Sequence, residues 1–237
     1  MKNSFLVLLT FLGIQQINAQ FTRRDSLQGG LRIERTSYDV KRYDLNITIN
    51  PEQKSIKGFN EISFEVVTPT QKIQVDLFDN MKVDSIVWNT KKLKYNRDND
   101  AVFIDFPEKL ASKSNHKLRF YYSGNPRIAK NAPWDGGFVF SKDKAGNHFI
   151  AVAVQGTGAS LWYPVKDSQS DEPDNGASIK VAVPNGLMNV SNGRFLGFED
   201  LKNGYTRWDW EVKNPINNYT ITVNIADYVH IQDKMPD

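Results

Sequence analysis

The sequence predicts an all-β fold, and three observations carry that prediction. Short apolar–polar alternations of period two recur along most of the chain. Clusters of Gly, Pro, Asn and Asp separate them at steady spacing. No stretch sustains a helical period except the first nineteen residues. Many short strands with regular turn signals imply an antiparallel sandwich or curved multi-sheet domain rather than a helical one. No repeat of fixed length is evident.

The elements follow in order. Residues 1–19 read as a secretory signal peptide: Lys2 gives the positive start, Phe5 to Ile14 is an apolar run too short to span a bilayer, and Ala19 precedes a cut at Gln20. Residues 20–35 are polar and Gly-containing, a flexible mature arm, and the β domain is expected over 36–237. Tyr43-Asp-Leu-Asn-Ile-Thr-Ile49 and Phe59-Asn-Glu-Ile-Ser-Phe-Glu-Val66 form a hairpin about the Asn50-Pro51 to Lys57-Gly58 turn. Strands continue at 72–77, 83–88, 101–106 and 116–122, with Pro107 and Gly124-Asn-Pro126 as punctuation. Asn131-Ala-Pro-Trp-Asp-Gly-Gly137 is a turn. Phe138-Val-Phe140 and Phe149-Ile-Ala-Val-Ala-Val154 flank a charged loop. Five more strands are expected at 178–183, 187–190, 194–198, 205–210 and 220–225.

Composition excludes several classes. The 237-residue chain is 40% hydrophobic and 12% aromatic, enough for a packed core of one large or two small domains. Its net charge of +3 is mild, and basic residues alternate with acidic ones, so no nucleic-acid partner is expected. There is no Cys, so the fold rests on its core in spite of export, and no lipid can be attached at a cysteine. A periplasmic or secreted location is expected, with no transmembrane helix in the mature chain. Asn-x-Ser/Thr triplets at Asn46, Asn189 and Asn218 matter only in a glycosylating host.

One stretch does something strands do not need: Val152-Ala-Val-Gln-Gly-Thr-Gly-Ala-Ser-Leu-Trp-Tyr-Pro-Val-Lys-Asp-Ser-Gln-Ser-Asp-Glu-Pro-Asp174. Two readings stand. A polar group delivered by a strand end onto a glycine-rich turn builds a binding wall. Alternatively the stretch is a crossover between two sheets, with glycines for positive φ and a solvated acidic turn.

Catalytic motifs are missing. The three histidines, His116, His148 and His230, have no spacing that presents paired imidazoles to a metal. Asp171, Glu172 and Asp174 lack the ligand alternation of a calcium loop. Ser160 is on no nucleophile elbow, and Gly156-Thr-Gly158 lacks the Lys and helix of a phosphate loop. No catalytic or metal-ligating residue is assigned to this chain.

Several segments together resemble a known family. They are Tyr38-Asp-Val-Lys-Arg-Tyr-Asp-Leu-Asn-Ile-Thr-Ile49, Ile56-Lys-Gly58 before Glu61-Ile-Ser-Phe64, and Trp134-Asp-Gly-Gly-Phe-Val-Phe140. Gln155-Gly-Thr-Gly-Ala-Ser-Leu-Trp-Tyr-Pro164 follows, then Lys166-Asp167 and Ser170-Asp-Glu-Pro-Asp174. Over residues 30–237 the chain is similar to the N-terminal domain of the aminopeptidase N and leukotriene hydrolase family of zinc metallopeptidases, in particular exported members from Bacteroidetes-like bacteria. The resemblance implies a saddle-shaped, all-β platform packed on a thermolysin-like catalytic domain that follows in the chain. That domain carries G-x-M-E-N and H-E-x-x-H motifs and the zinc. Neither motif occurs here, and Gly186-Leu-Met-Asn189 lacks the Glu. The chain stops about where a linker would begin, so it is expected to be inactive alone.

The family uses a Glu or Gln on a loop of this domain to hold the substrate's α-ammonium. Aligning Pro164-Val-Lys-Asp167 with the family's Pro-Cys-x-Asp places Gln155 there, and puts Ala153 where a second Gln often lines the first side-chain pocket. An amide oxygen accepts a hydrogen bond from an ammonium, less strongly than a carboxylate. The competing account has Gln155 serving backbone groups of its own loop. Gly156, Thr157 and Gly158 let the loop approach the peptide's amino end. Trp162 and Tyr163 are read as packing at the domain junction. The alternative function is a stand-alone secreted β-sandwich module that binds carbohydrate or protein, with Trp88, Trp134 and Trp208 available for sugar stacking.

Overall fold

A computed structural model describes residues 21–132 and 134–231. The signal peptide expected over 1–19 lies outside them. Two short helices, α1 (Arg23–Gly29) and α2 (Ile33–Thr36), precede β1 (Tyr38–Asn50), β2 (Ser55–Val66), β3 (Thr70–Asp76) and β4 (Met81–Trp88). Next come β5 (Lys91–Lys92), β6 (Lys94–Asp98), β7 (Ala101–Leu110), β8 (Asn115–Gly124), β9 (Gly137–Lys142) and β10 (His148–Ala153). The last five are β11 (Ala177–Pro184), β12 (Met188–Ser191), β13 (Arg194–Asp200), β14 (Tyr205–Val212) and β15 (Val223–Ala226). Every expected strand is present, although the last is shorter than the run over 220–225. Strands β5 and β6 were not foreseen, because Lys91–Asp98 is too polar and short to show a period.

Three sheets result. Eight strands lie in the order β13-β14-β11-β1-β2-β8-β4-β5, four in the order β12-β15-β10-β9, and three in the order β3-β7-β6. The fold is the expected all-β, multi-sheet one. Pairing is antiparallel except between β1 and β11, which run parallel with Tyr43 opposite Ala177 and Thr48 opposite Ala182. The inward faces of the sheets share one apolar core. In β1 the buried–wet alternation slips near Lys41, where a bulge between Val40 and Arg42 shifts the register against β2. That slip is why the clean alternation in the sequence starts at Tyr43 although the strand starts at Tyr38.

The stretch after β10 is a crossover, from the four-stranded sheet to β11 of the eight-stranded one. It threads through the core and is tied to all three sheets. Val165 bridges Asp76 of β3, with backbone bonds of 2.8 and 3.0 Å. Asn60 of β2 donates to the Pro164 carbonyl at 2.8 Å. Trp162 and Tyr163 are fully buried, stacked edge-on at 4.6 Å, and contact Phe138 and Tyr43. They were expected at a domain junction. They lie in this chain's own core, because the crossover must pass between sheets and fills that space with aromatic bulk.

Residues expected to form a flexible arm are, over their described part, fastened to the sheets. A capping box between Thr22 and Asp25 starts α1, and Leu27 is buried against the body. Arg35 of α2 is buried and donates to Asp76 at 2.7 Å. Neither anchor was read from the sequence, and Arg35 finds its partner forty-one residues on.

Between sheets, Trp208 and Trp210 of β14 direct their indole N–H groups at the carbonyls of Leu187 and Asn189, at 3.1 and 3.0 Å. Strand β12 is an edge of its sheet, and the two indoles occupy acceptors that a further strand would use.

Candidate functional site

Strand β10 ends at Ala153, and the chain reverses through Val154-Gln-Gly-Thr157. The Val154 carbonyl accepts the Thr157 N–H at 3.0 Å, the Thr157 hydroxyl at 3.0 Å and the Gly158 N–H at 2.9 Å. Gly156 sits third in this turn with φ of +72°, which a type II turn assigns to glycine. Gln155 is second in the turn and exposed. Its side-chain amide makes no hydrogen bond among the described residues, so the loop backbone is served without it.

Gly158 also has a positive φ, +91°, and a Cβ there would lie 2.2 Å from Asp167 Oδ2. Asp167 is the residue that holds the turn in place. Its carboxylate accepts the Ser160 N–H at 3.0 Å and the Ser160 hydroxyl at 2.6 Å. Its own N–H donates to Asp76 Oδ2 at 3.0 Å, and its carbonyl accepts from Arg35 at 2.7 Å. Behind it, Gln74 donates to the other Asp76 oxygen at 2.6 Å. Burial pushes the Asp76 carboxyl up to about 6, while Arg35 pulls it the other way. Burial likewise raises Asp171, against the opposing pull of Lys166, its ion-pair partner. Lys166 additionally donates to the Tyr38 carbonyl at 2.6 Å. The polar residues of the crossover thus spend themselves on the scaffold, and the tip of the turn is left free.

The free tip faces a cleft of about 910 Å³. Gln155, Gly156, Thr157 and Gly158 all line it, and so does Ala153. The far walls come from Asn192 and from the 3-10 turn Asn218–Thr220 with Thr222. The four residues named from the sequence, consecutive in one turn, thus line one concave surface. The Trp134-Asp-Gly-Gly137 turn packs behind the same loop: a Cβ on Gly136 would come within 2.1 Å of Thr157 Oγ1 and 2.9 Å of the Ala153 carbonyl. Two motifs distant in sequence are hence one structural unit, and Trp134, 75% exposed, stands beside it.

Sequence reasoning missed Gln28. It lines the cleft from α1 and donates to the Thr157 carbonyl at 3.4 Å. Nothing local marks a lone Gln in a polar segment as part of a site.

The remaining candidates separate. Among the described residues no group of three His, Cys, Asp or Glu side chains is placed to hold a metal. His116 packs on Phe64 and Trp88 and bonds Ser114 at 2.8 Å; His148 bonds Glu52 at 2.9 Å. Asp171, Glu172 and Asp174 turn to Lys166, Asn217 and Lys41 respectively rather than to a common point. Trp88 is buried. Trp208 stacks with Phe195 and Phe198 at tilts of 32° and 35°, so these rings form no coplanar row. Asn189 and Asn218 are buried and offer no acceptor for a glycan in the folded chain. Among the described residues no helix is long and apolar enough to cross a membrane.

Comparison with known proteins agrees with the fold. The model of the peptidase M1 N-terminal domain matches residues 39–220. The M1 zinc metallopeptidase from Deinococcus radiodurans has a similar fold, with a TM-score of 0.67 at 20% identity over 80% of this chain and 42% of that one. A variant of that peptidase bound to a Tyr-Ser-Ala substrate gives a TM-score of 0.67 at 21% identity, with the same coverage of 80% and 42%. So does a two-domain M1 zinc metallopeptidase variant bound to L-arginine, at 0.67, 21%, 80% and 42%. The chain thus spans less than half the length of these structures. No curated protein matches it.

Proposed function

The chain belongs to the peptidase M1 N-terminal domain family, and on that premise we propose that it forms the substrate-flanking wall of an exported zinc aminopeptidase. It contributes no catalytic group. It reads the free amino end of a peptide whose scissile bond is handled by a thermolysin-like catalytic domain. The zinc belongs to that domain, and this chain by itself is inactive. The signal-like residues 1–19 support export to the periplasm or beyond.

One observation carries the reading. Gln155 presents a solvent-facing amide on the rim of the cleft, on a turn pinned by three hydrogen bonds to one carbonyl, and its own amide has no partner among the described residues. A rigid turn that leaves an acceptor unspent is a ready receptor for an ammonium. The ligands in the similar solved structures, a tripeptide and an amino acid, are of the class such an amide would bind.

The test is Gln155→Ala in the complete polypeptide, assayed on peptides with a free amino terminus. Loss of a hydrogen bond to a charged group should raise KM roughly tenfold. Unchanged kinetics remove Gln155 from the site. Chelator-sensitive cleavage of amino-acid anilides by the isolated chain would overturn the larger reading.

A further inference from the structure

Helix α1 lies N-terminal to residues 39–220, the stretch matched by the family model. It is nonetheless held firmly. Leu27 is buried, and its carbonyl accepts from Gln74 at 3.0 Å and from Arg35 at 3.4 Å. Arg23 pairs with Asp98 at 2.8 Å, and Arg24 pairs with Asp100 while lying over the Phe78 ring. The residue after Leu27 is consequently fixed in space, and that residue is Gln28, which lines the same cleft as Gln155. Its Nε2 donates to the Thr157 carbonyl. A side-chain amide that spends its N–H₂ group this way keeps its carbonyl oxygen as an acceptor.

We propose that Gln28 is a second amide receptor for the substrate's amino end, brought into the cleft by α1, and that it contributes to specificity for a free ammonium. The inference rests on the cleft being the amino-end site. An ammonium has three protons to place, and Gln155 supplies one neutral acceptor. The neighbouring carboxylate of Asp167 is bonded twice by Ser160, both times through Oδ2, and its Oδ1 stands in the same cleft lining as a further acceptor. Gln28 supplies the second free amide oxygen, on the wall that carries Thr157. Its bond to the Thr157 carbonyl orients it there before substrate arrives, which lowers the entropic cost of binding.

The experiment compares Gln28→Ala, Gln28→Glu, Gln28→Lys and Gln155→Ala in the complete polypeptide, with KM and kcat measured on a dipeptide bearing a free amino group. Gln28→Ala should raise KM roughly tenfold, with kcat changing less. Gln28→Glu, which accepts but cannot donate to Thr157, should restore or tighten binding. Gln28→Lys, which donates but cannot accept, should behave like Gln28→Ala or worse. The proposal is overturned if Gln28→Ala leaves KM within about twofold of wild type while Gln155→Ala raises it; the amino-end reading then survives alone. It is also overturned if Gln28→Lys restores binding and Gln28→Glu does not, because Gln28 would then serve only to tether the turn. If neither Gln28→Ala nor Gln155→Ala alters KM, the amino-end reading and the proposal fail together.

Discussion

Arg35→Met removes one half of the buried pair behind the cleft. Arg35 is 3% exposed and Asp76 2%, and the guanidinium spans Asp76 at 2.7 Å and the Asp167 carbonyl at 2.7 Å. Met keeps an apolar stem and loses both bonds. The Asp76 carboxylate is left with Gln74 and the Asp167 N–H, in a site that already disfavours its charge. Breaking a buried pair this way costs roughly 3–5 kcal/mol, a large part of the ~5–15 kcal/mol that holds a domain folded. The cost depends on pH, and the sign follows from the direction of the shift. In the folded wild type the Asp76 pKa stands at about 6, above the ordinary 3.8. The folded state therefore binds this proton more tightly than the unfolded state does. The stability so contributed is fully present below the ordinary value and is lost as pH rises through about 6. Without Arg35 the folded value goes higher still, so the loss extends further up the scale. The penalty of the substitution should thus be largest at neutral pH. It should shrink by about 1–2 kcal/mol on going from roughly pH 7 to pH 5, where Asp76 becomes neutral and needs no partner. Urea unfolding of the chain, followed by tryptophan fluorescence at both pH values, measures it. A penalty below about 1 kcal/mol at neutral pH, or one equal at both, refutes the argument.

Further outcomes follow from the same geometry. Asp76→Asn removes the titrating group, so its stability relative to wild type should change by on the order of 3 kcal/mol between about pH 4 and pH 7, in favour of the variant as pH rises; parallel urea curves at each pH check this. Gly158→Ala and Gly186→Ala each place an alanine at a positive φ, +91° and +92°. Only the former drives a methyl into Asp167, whereas Gly186 has open space. Gly158→Ala should hence cost at least about 1 kcal/mol more than Gly186→Ala, and equal melting temperatures would remove the contact from the account. Replacing Trp208 and Trp210 together by Leu frees the Asn189 carbonyl of the edge strand and that of Leu187 just before it; light scattering should show more concentration-dependent association than the wild type gives.

Much of the fold was legible because a strand signals itself locally. Residues 43–49 alternate apolar and polar, and Tyr43, Leu45, Ile47 and Ile49 are all buried. The Lys91–Asp98 pair of strands was illegible for the opposite reason, having one buried apolar residue between two polar runs. The helices at 23–29 and 33–36 were also missed. Each buries a single anchoring side chain, Leu27 and Arg35, and one residue does not make a period. Within the site, Gln155 to Gly158 stood out because glycines around a polar residue are a local irregularity. Gln28 carried no such mark, as its role exists only through a partner 129 residues away.

The order of residues alone determined most of the strands, the turns between them, the segments of the family likeness and the loop that carries the candidate amide, because each is written within a dozen or so consecutive positions. Tertiary structure decided which sheet each strand joined, that β1 and β11 run parallel, that Trp162 and Tyr163 fill the core, and that α1 closes on the Gln155 turn. Those outcomes depend on burial and on pairing between distant segments. Neither exists until the chain has collapsed, when a buried charge such as Asp76 must find its partner or lose its charge.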